Sequence, residues 1–451
     1  MKPRPRVLLL DLYLLEIDAV VRERRPFIQP YLYLGAFLER AGVPHDLYRW
    51  YGPEHELAEV LRQGSYAFVF INLLMGPVLE RLEPAGRIVR QVLPRAQIWV
   101  GGPAVKFIPD LLSASPVVDR VSRGCPMRAP AAFFAELAAC GLVDGHVPPP
   151  GPGLALAGYR QMEAFVHEHS SDRGSVRALG LTTACSCPNH CAFCYLRRTE
   201  MWCTPVPELL AEVARLQERH GIGYFEFCDD NFAADLPRLE AFAAAVAEAK
   251  LELAYFCLGS IDALSPQALD LLVGSGLRRI FVGVDAIHER GLRLFGKAYA
   301  GKDVVAAIDR LRRLPVDLTL AVVLGAFGET REEVEALYAW VASVAPEICA
   351  PQFLAPYPGT PMFAQAVARG FVPPDTLAGW ARACDQRLPK PYFSPTISVE
   401  EYAEWDRKLE ALGSKRFRSG IGDSARRLRR QPGDEARAAE IRDQARGSRQ
   451  G

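Results

Sequence analysis

The chain predicts an α/β protein: a doubly wound, Rossmann-like parallel sheet domain over residues 1–140, a partial (βα)6 barrel over residues 176–362, and a mostly helical C-terminal segment. Three observations predict it. Short apolar or β-branched runs alternate with amphipathic stretches twice over, on either side of a linker at residues 141–175 that contains Pro148-Pro149-Pro150. The second series holds about six βα units, too few for a closed eight-stranded barrel, so the barrel is open. At 451 residues the chain also exceeds one ordinary core, which makes two domains and a tail the expected division.

In the first domain the expected strands are Val7–Leu12, His45–Tyr48, Ala67–Leu73, Ile98–Val100 and Val117–Val121, with helices such as Tyr31–Ala41 and Val78–Leu93 between them. In such sheets ligands bind at the carboxyl ends of the strands, at a topological switch point. Two loops sit there: Asn72-Leu73-Leu74-Met75-Gly76-Pro77 and Gly101-Gly102-Pro103. Paired glycines admit a close approach of backbone to a large flat ligand; they equally serve only to turn the chain into a helix.

In the second domain the expected strands are Ala178–Thr183, Tyr224–Cys228, Leu253–Leu258, Ile280–Val284, Leu318–Leu324 and Pro351–Leu354. Helical runs at Pro207–His220, Leu236–Lys250, Pro266–Gly274, Asp303–Leu314 and Glu332–Val344 separate them. His167 and His169 flank Glu168 on a polar stretch that reads as solvated surface rather than a ligand set. Residues 363–412 are expected to form a helical cap. Residues 413–451 are poor in large apolar side chains and rich in arginine, as in Arg426-Arg427-Leu428-Arg429-Arg430, and are expected to be a disordered basic tail.

Lys+Arg 53 balances Asp+Glu 53, which argues against a dedicated polyanion binder, so nucleic acid is not an expected partner. The apolar run from Val7 to Tyr13 is too short to span a bilayer, and no signal-peptide pattern opens the chain. Eleven cysteines spread through a chain of this size then read as free thiols in a reducing cytoplasm.

Three of them are clustered. Cys187-Pro188-Asn189-His190-Cys191-Ala192-Phe193-Cys194 is a CxxxCxxC array directly after the first barrel strand. Thiolates at this spacing hold a metal. Structural zinc and the common iron–sulfur frameworks take four protein ligands, so three leave a coordination position open for chemistry. A zinc-stabilised binding protein that uses the triad structurally is the rival from another class. Cys185 shares a strand face with Cys187 but reads as a packed free thiol, as do Cys203, Cys228 and Cys257.

An array of this kind on the first loop of a six-unit barrel resembles the radical S-adenosylmethionine (SAM) enzymes. Further motifs carry the resemblance: Phe227-Cys228-Asp229-Asp230-Asn231-Phe232 at the second strand, Val282-Gly283-Val284-Asp285 at the fourth, Leu324-Gly325-Ala326-Phe327-Gly328-Glu329-Thr330, and Pro356-Tyr357-Pro358-Gly359-Thr360-Pro361. Pro30–Gly42 with His45-Asp46-Leu47-Tyr48, and Ile98-Trp99-Val100-Gly101-Gly102-Pro103, are similar to the cobalamin-binding-type domain that precedes the barrel in one class of these enzymes.

The resemblance implies that Cys187, Cys191 and Cys194 hold three irons of a [4Fe-4S] cluster and leave the fourth to SAM. It implies that Phe193 lies against the adenine, that Asp229 and Asp230 help hold the methionine end, and that Ser260 and Asp285 reach the ribose hydroxyls or the methionine carboxylate. Leu74, Met75, Gly101, Gly102 and Pro103 would face a corrin. Two departures stand out there: Asp285 replaces the customary Glu, and Ser260 stands where Arg is frequent. The base-off motif DxHxxG is also absent, since Asp11 is followed by Leu12, Tyr13 and Leu14 and no histidine precedes His45. Any cobalamin would be base-off without a histidine ligand.

The activity implied is generation of a 5′-deoxyadenosyl radical, with cobalamin-dependent C-methylation of an unactivated carbon as the leading reaction. The substrate would be a small molecule or peptide (a natural product, lipid or peptide residue), and the electron donor a flavodoxin or ferredoxin. The alternative is dehydration, epimerisation or rearrangement without cobalamin. A tRNA methylthiotransferase is disfavoured because no cysteine precedes Cys125.

Overall fold

The run Val7–Asp11 (β1) is buried at every position, as a central strand covered on both faces requires. The computed structural model describes residues 5–12, 28–144, 155–171, 174–196 and 201–413. The predicted tail after residue 413, the triple proline, and the positions after Leu12 where the base-off motif would fall lie outside the described residues. Strands β2 (His45–Arg49), β3 (Phe68–Asn72), β4 (Gln97–Gly101) and β5 (Arg120–Val121) join β1 in a parallel sheet of order β2-β1-β3-β4-β5. Helices α1 (Gln29–Arg40), α2 (Glu54–Gly64), α3 (Leu82–Val92), α4 (Pro109–Ala114) and α5 (Pro130–Ala139) alternate with the strands, giving the predicted doubly wound layer. The order reverses between β1 and β3, so the crevice for a ligand opens beside the loop after β3.

Two predicted elements are shorter than expected. The helix predicted at Val78–Leu93 starts as a tight turn at Pro77–Arg81 and becomes α-helical only at Leu82, because Pro84 has no amide to donate and is tolerated only in a first turn. The strand predicted at Val117–Val121 keeps only its last two residues. Val117 instead seals the core against α3, so close that a Cβ on Gly86 would lie 2.5 Å from its own Cβ.

The second sheet runs, in spatial order, Ile348–Phe353, Asp317–Leu324, Leu277–Asp285, Tyr255–Ser260, Tyr224–Phe227, Gly174–Leu181 and Val166–Ser171. Strand β6 (Val166–Ser171) pairs antiparallel with β7 (Gly174–Leu181), and a small ribbon, β8 (Ala184–Cys185) with β9 (Trp202–Cys203), follows. Then β10 (Tyr224–Phe227), β11 (Tyr255–Ser260), β12 (Leu277–Asp285), β13 (Asp317–Leu324) and β14 (Ile348–Phe353) continue in parallel from β7, completing the six predicted barrel strands. Their outer face is covered by α6 (Val206–His220), α7 (Leu236–Glu248), α8 (Pro266–Gly274), α9 (Glu289–Leu294), α10 (Gly301–Arg312) and α11 (Arg331–Val344).

The polar stretch at His167 is thus an edge strand and not solvated chain. Its histidines alternate inward, with side chains 17 % and 15 % exposed, and their polarity masked the period-two signal.

The C-terminal segment holds α12 (Pro361–Ala368), α13 (Leu377–Ala383) and α14 (Val399–Glu410). Its two longer contacts go to different domains. Leu377, Trp380 and Ala381 of α13 bury themselves with Leu79 and Leu82 in the core of the N-terminal sheet, whereas Tyr402 and Leu409 of α14 join the barrel core. The opposite face of the N-terminal sheet, with Leu9, Phe70 and Trp99, is continuous with that barrel core. No helix among the described residues is long and apolar enough to cross a membrane.

Candidate active site

The cysteine loop is built from the ends of β7 and β10. Asp229 is fully enclosed; its carboxylate accepts from the Thr183 amide and hydroxyl and, at 2.9 Å, from the Ala184 amide. Burial raises its pKa to about 6 against the pull of these donors and of Arg238. Asp230, exposed on its other side, accepts from the Ser186 amide at 2.9 Å and holds that residue at φ 80°, a left-handed conformation costly for a non-glycine residue. The two adjacent carboxylates therefore grip the chain just before Cys187.

Further on, the Ala192 amide donates to the Phe295 carbonyl at 2.8 Å while its own carbonyl accepts from the Met362 amide at 3.2 Å. This pins the middle of the array to α9 and to the start of α12. The three thiols are free and half-buried. Burial pushes the Cys194 thiol up to about 11 and raises Cys187 and Cys191 as well. Among the described residues the three Sγ atoms are not all within 4.8 Å of one another, whereas a single zinc draws its thiolates to roughly 3.8 Å. The wider spacing fits a polynuclear cluster.

Lys297 was not singled out by any sequence pattern. Its ammonium pairs with Asp285, the two side chains being 6 % and 10 % exposed, lies 5.7 Å from the Phe193 ring centroid, and faces the Cys191 thiol. Asp285 itself is held at φ 64°, where strand β12 ends. Beside this pair is a cavity of about 80 Å³ lined by Phe193, Phe281, Gly283, Asp285, Val322 and Tyr357. Lys297→Met is expected to leave the Asp285 carboxylate buried without a partner. That lowers the unfolding free energy by about 3–5 kcal/mol, which chemical denaturation of the cluster-loaded protein will read.

Ser260, at the end of β11, accepts from Asn231 Nδ2 at 2.7 Å and from Asn189 Nδ2 at 3.2 Å. Asn189 lies inside the cysteine array, and Asn231 Nδ2 is 4.0 Å from Cys187 Sγ. Asn231 is 3 % exposed and its Oδ1 has no partner, an orphaned acceptor suited to a donor group of a bound molecule. Neither asparagine was marked by sequence reasoning as a site residue, although Asn231 lies inside the motif at the second strand.

Glu329 is not at the cavity. It is buried and accepts from the Gly325 amide at 2.9 Å, tying its own turn; burial raises its pKa to about 7. A folded pKa above the unfolded one means that the retained proton stabilises the fold below pH 4.5, and that this contribution fades as the pH rises through 7. The loss amounts to about 3 kcal/mol. Glu329→Gln, which mimics the protonated side chain, is expected to flatten the stability profile between pH 4.5 and 7 in denaturant titrations.

The N-terminal face of the site is the loop pair at β3 and β4. Leu74 is a large apolar side chain left 47 % exposed, while Met75 is half-buried against the domain core. Gly102 sits at φ 92°, and a Cβ there would come within 2.5 Å of Asn72 Oδ1 and 2.7 Å of the Leu73 carbonyl oxygen. At Gly101 a Cβ would meet only the Ser122 carbonyl oxygen, at 3.8 Å, and Asn72 Nδ2 is buried without a partner. Pro103 opens a tight turn that ends at Lys106. An open glycine face, an orphaned amide and an exposed leucine fit a large planar ligand with amide-accepting groups.

Asp11, at the head of the missing base-off motif, does not face this crevice as a free acid: it is 5 % exposed and takes Arg49 Nε at 2.7 Å.

The two loop systems meet. Phe107 packs edge-on against Tyr195, the residue after Cys194, with centroids 5.3 Å apart; Tyr195 packs on Tyr357 at 5.4 Å; and Arg128 Nη1 reaches Ser186 Oγ at 3.4 Å. The glycine loop of the first sheet thus lies next to the cysteine loop of the second.

Residues 181–341 match the Radical SAM superfamily. The chain is 21% identical over 354 residues to an uncharacterized methyltransferase of Pyrococcus horikoshii, covering 70% of this chain and 73% of that one. It is 24% identical over 207 residues to cytidylyl-2-hydroxyethylphosphonate methyltransferase of Streptomyces wedmorensis, covering 43% of this chain and 38% of the relative. The fold superposes on the radical S-adenosylmethionine methyltransferase TsrM of Kitasatospora setae, solved with cobalamin and a [4Fe-4S] cluster bound. The TM-score is 0.64 at 15% identity, over 95% of this chain and 99% of that one. It also superposes on the cobalamin-dependent S-adenosylmethionine radical enzyme OxsB, with TM-score 0.55 at 14% identity, over 77% of this chain and 53% of OxsB. With its CxxxCxxC loop, its six parallel barrel strands and its preceding doubly wound sheet, the chain carries a Radical SAM domain and has the fold of TsrM and OxsB.

Proposed function

We propose that the protein is a cobalamin-dependent radical SAM methyltransferase that methylates an unactivated carbon of a small-molecule or peptide substrate. The observation that carries this reading is the junction of the glycine loop with the cysteine loop through Phe107, Tyr195 and Tyr357. The glycine loop lies beside the cysteine loop there, which supports a corrin next to the thiols. TsrM, solved with cobalamin, a [4Fe-4S] cluster and, separately, with tryptophan and a SAM analogue, supports both the cofactor set and a small-molecule substrate.

Cys187, Cys191 and Cys194 would hold the cluster, and the cavity beside Phe193 and Asp285 would hold SAM. Gly101, Gly102 and Leu74 would support the corrin. When bound, these groups supply reductive cleavage of SAM to a hydrogen-abstracting radical and a carrier for the methyl group.

The chain's own part is positional. Asp229 and Asp230 fix the approach to Cys187, Lys297 brings a positive charge to Cys191, and Asn231 offers its free carbonyl oxygen to a donor on the bound molecule. Phe193 and Phe281 line the cavity with apolar surface and keep water from it. A flavodoxin or ferredoxin in a reducing cytoplasm would deliver the electron. Residues 13–27 contain no histidine, so none there would reach the lower face of a bound corrin.

Anaerobic reconstitution with iron, sulfide and hydroxocobalamin tests the reading. About one corrin per chain is expected, and a product heavier than the substrate by one methyl group. Corrin binding no higher than background removes the methyltransferase reading, and an unmethylated product points to dehydration, epimerisation or rearrangement.

A further inference from the structure

Strand β6 brings two histidines to one carboxylate across the concave side of the second sheet. His167 lies opposite Ala178 of β7, His169 opposite Val176, and Glu226 of β10 opposite Gly180. Small residues on β7 let side chains from the strands on either side of it meet over its surface. His167 Nε2 is 3.4 Å and His169 Nδ1 4.0 Å from the same oxygen, Glu226 Oε1. One donor atom from each of the three residues lies within 4.8 Å of the others, and among the described residues they are the one such trio found.

The group is on the barrel interior. Phe227 packs edge-on against Phe242 of α7, so Phe225 and Phe227 face outward and Tyr224 and Glu226 point inward. Tyr224 forms an inner cluster with Val176, Ala178 and Ala254, and its ring lies 4.7 Å from that of His169. Glu226 is three residues before Asp229, which follows the end of β10 and grips the chain before Cys187, so the group lies about 10 Å beneath that grip.

Hydrogen bonding alone does not complete this group, because His167 Nδ1 is buried without a partner. Neutral imidazoles and an ionised carboxylate are the forms in which these three side chains would bind an ion. Arg279, which opposes a cation, stands beside Asp317 in the register of β12 and β13, and the carboxylate there offsets it.

We infer that His167, His169 and Glu226 form a binding site for a borderline divalent transition ion, zinc or ferrous iron, inside the barrel. Donors around such an ion stand roughly 3.0–3.4 Å apart at ligand bonds near 2.1 Å, so small rotations of the two rings close the site. Two imidazoles and a carboxylate leave at least one coordination position open to the barrel interior. The ion would also strap the edge strand β6 to β10 across β7. The site is separate from the cysteine array and does not depend on the reaction proposed above.

The test uses the full chain with its cluster already reconstituted, so that Cys187, Cys191 and Cys194 are occupied. The protein is given zinc, passed through gel filtration, and measured for zinc per chain and by zinc K-edge absorption. The expected result is about one zinc with only nitrogen and oxygen scatterers at roughly 2.0–2.1 Å. His167→Gln/His169→Gln and, separately, Glu226→Gln should weaken zinc binding at least about tenfold while iron and sulfide per chain stay unchanged.

Substoichiometric zinc on the wild-type protein overturns the inference. So does a sulfur scatterer near 2.3 Å, which assigns the ion to a cysteine such as Cys228, or zinc binding that survives in folded variants. If the variants fail to fold, the wild-type stoichiometry and absorption spectrum decide. Loss of corrin binding or of methylation would leave this result standing, so the two readings fail separately.

Discussion

Replacing Cys187, Cys191 or Cys194 by alanine, one at a time, is expected to strip the protein of its cluster and abolish turnover. Iron and sulfide should fall from about four of each per chain to near zero. The array supplies three thiolates, and the hydrogen bonds around them cannot take over as ligands. Weakening the outer support of a metal ligand already costs about 10–100-fold, so losing a ligand should cost more than about 100-fold in activity.

Cys257→Ala is the control. Cys257 is fully buried in the barrel core and is expected to keep iron, sulfide and activity. Retention of iron and sulfide in a variant of the array would place the cluster elsewhere. Zinc with no sulfide in the wild-type protein would make the array structural.

The second large effect is expected at the glycine pair, and it separates two roles of adjacent residues. Gly101→Leu places its side chain into open space, since a Cβ there meets nothing closer than 3.8 Å. Stability should stay within about 1 kcal/mol, while corrin binding falls more than about tenfold because the side chain occupies the ligand's place. Gly102→Val acts on the fold instead. At φ 92° a β-branched residue is strained, and its Cβ would press on the Asn72 side chain and the Leu73 backbone. A loss of about 2 kcal/mol or more in denaturant unfolding is expected. Equal corrin binding by Gly101→Leu and wild type would remove this loop from the cobalamin site.

Lys297 and Asn231 show why part of the site was not readable in advance. A lysine in sequence is by default a solvated charge, and Lys297 becomes informative only because folding places it against Asp285 and Cys191 with 6 % of its side chain exposed. Asn231 lay within a recognised motif, but its free carbonyl oxygen is a property of its neighbours. The β6 histidines read as solvated surface for a related reason: alternation of polar residues along an inward-facing edge strand has no apolar period to detect.

The local sequence by itself determined the order of the parallel strands, the open barrel that six of them form and the CxxxCxxC loop at its mouth. These follow from patterns only a few residues long: period-two and helical apolarity, turn residues, and thiol spacing. Tertiary structure alone decided that Asp229 and Asp230 grip the cysteine loop, that α13 buries itself in the other domain, and that the glycine loop touches Tyr195. Those contacts join residues far apart in the chain, and their energy comes from apolar burial and from hydrogen bonds made away from water, neither of which exists until the chain packs.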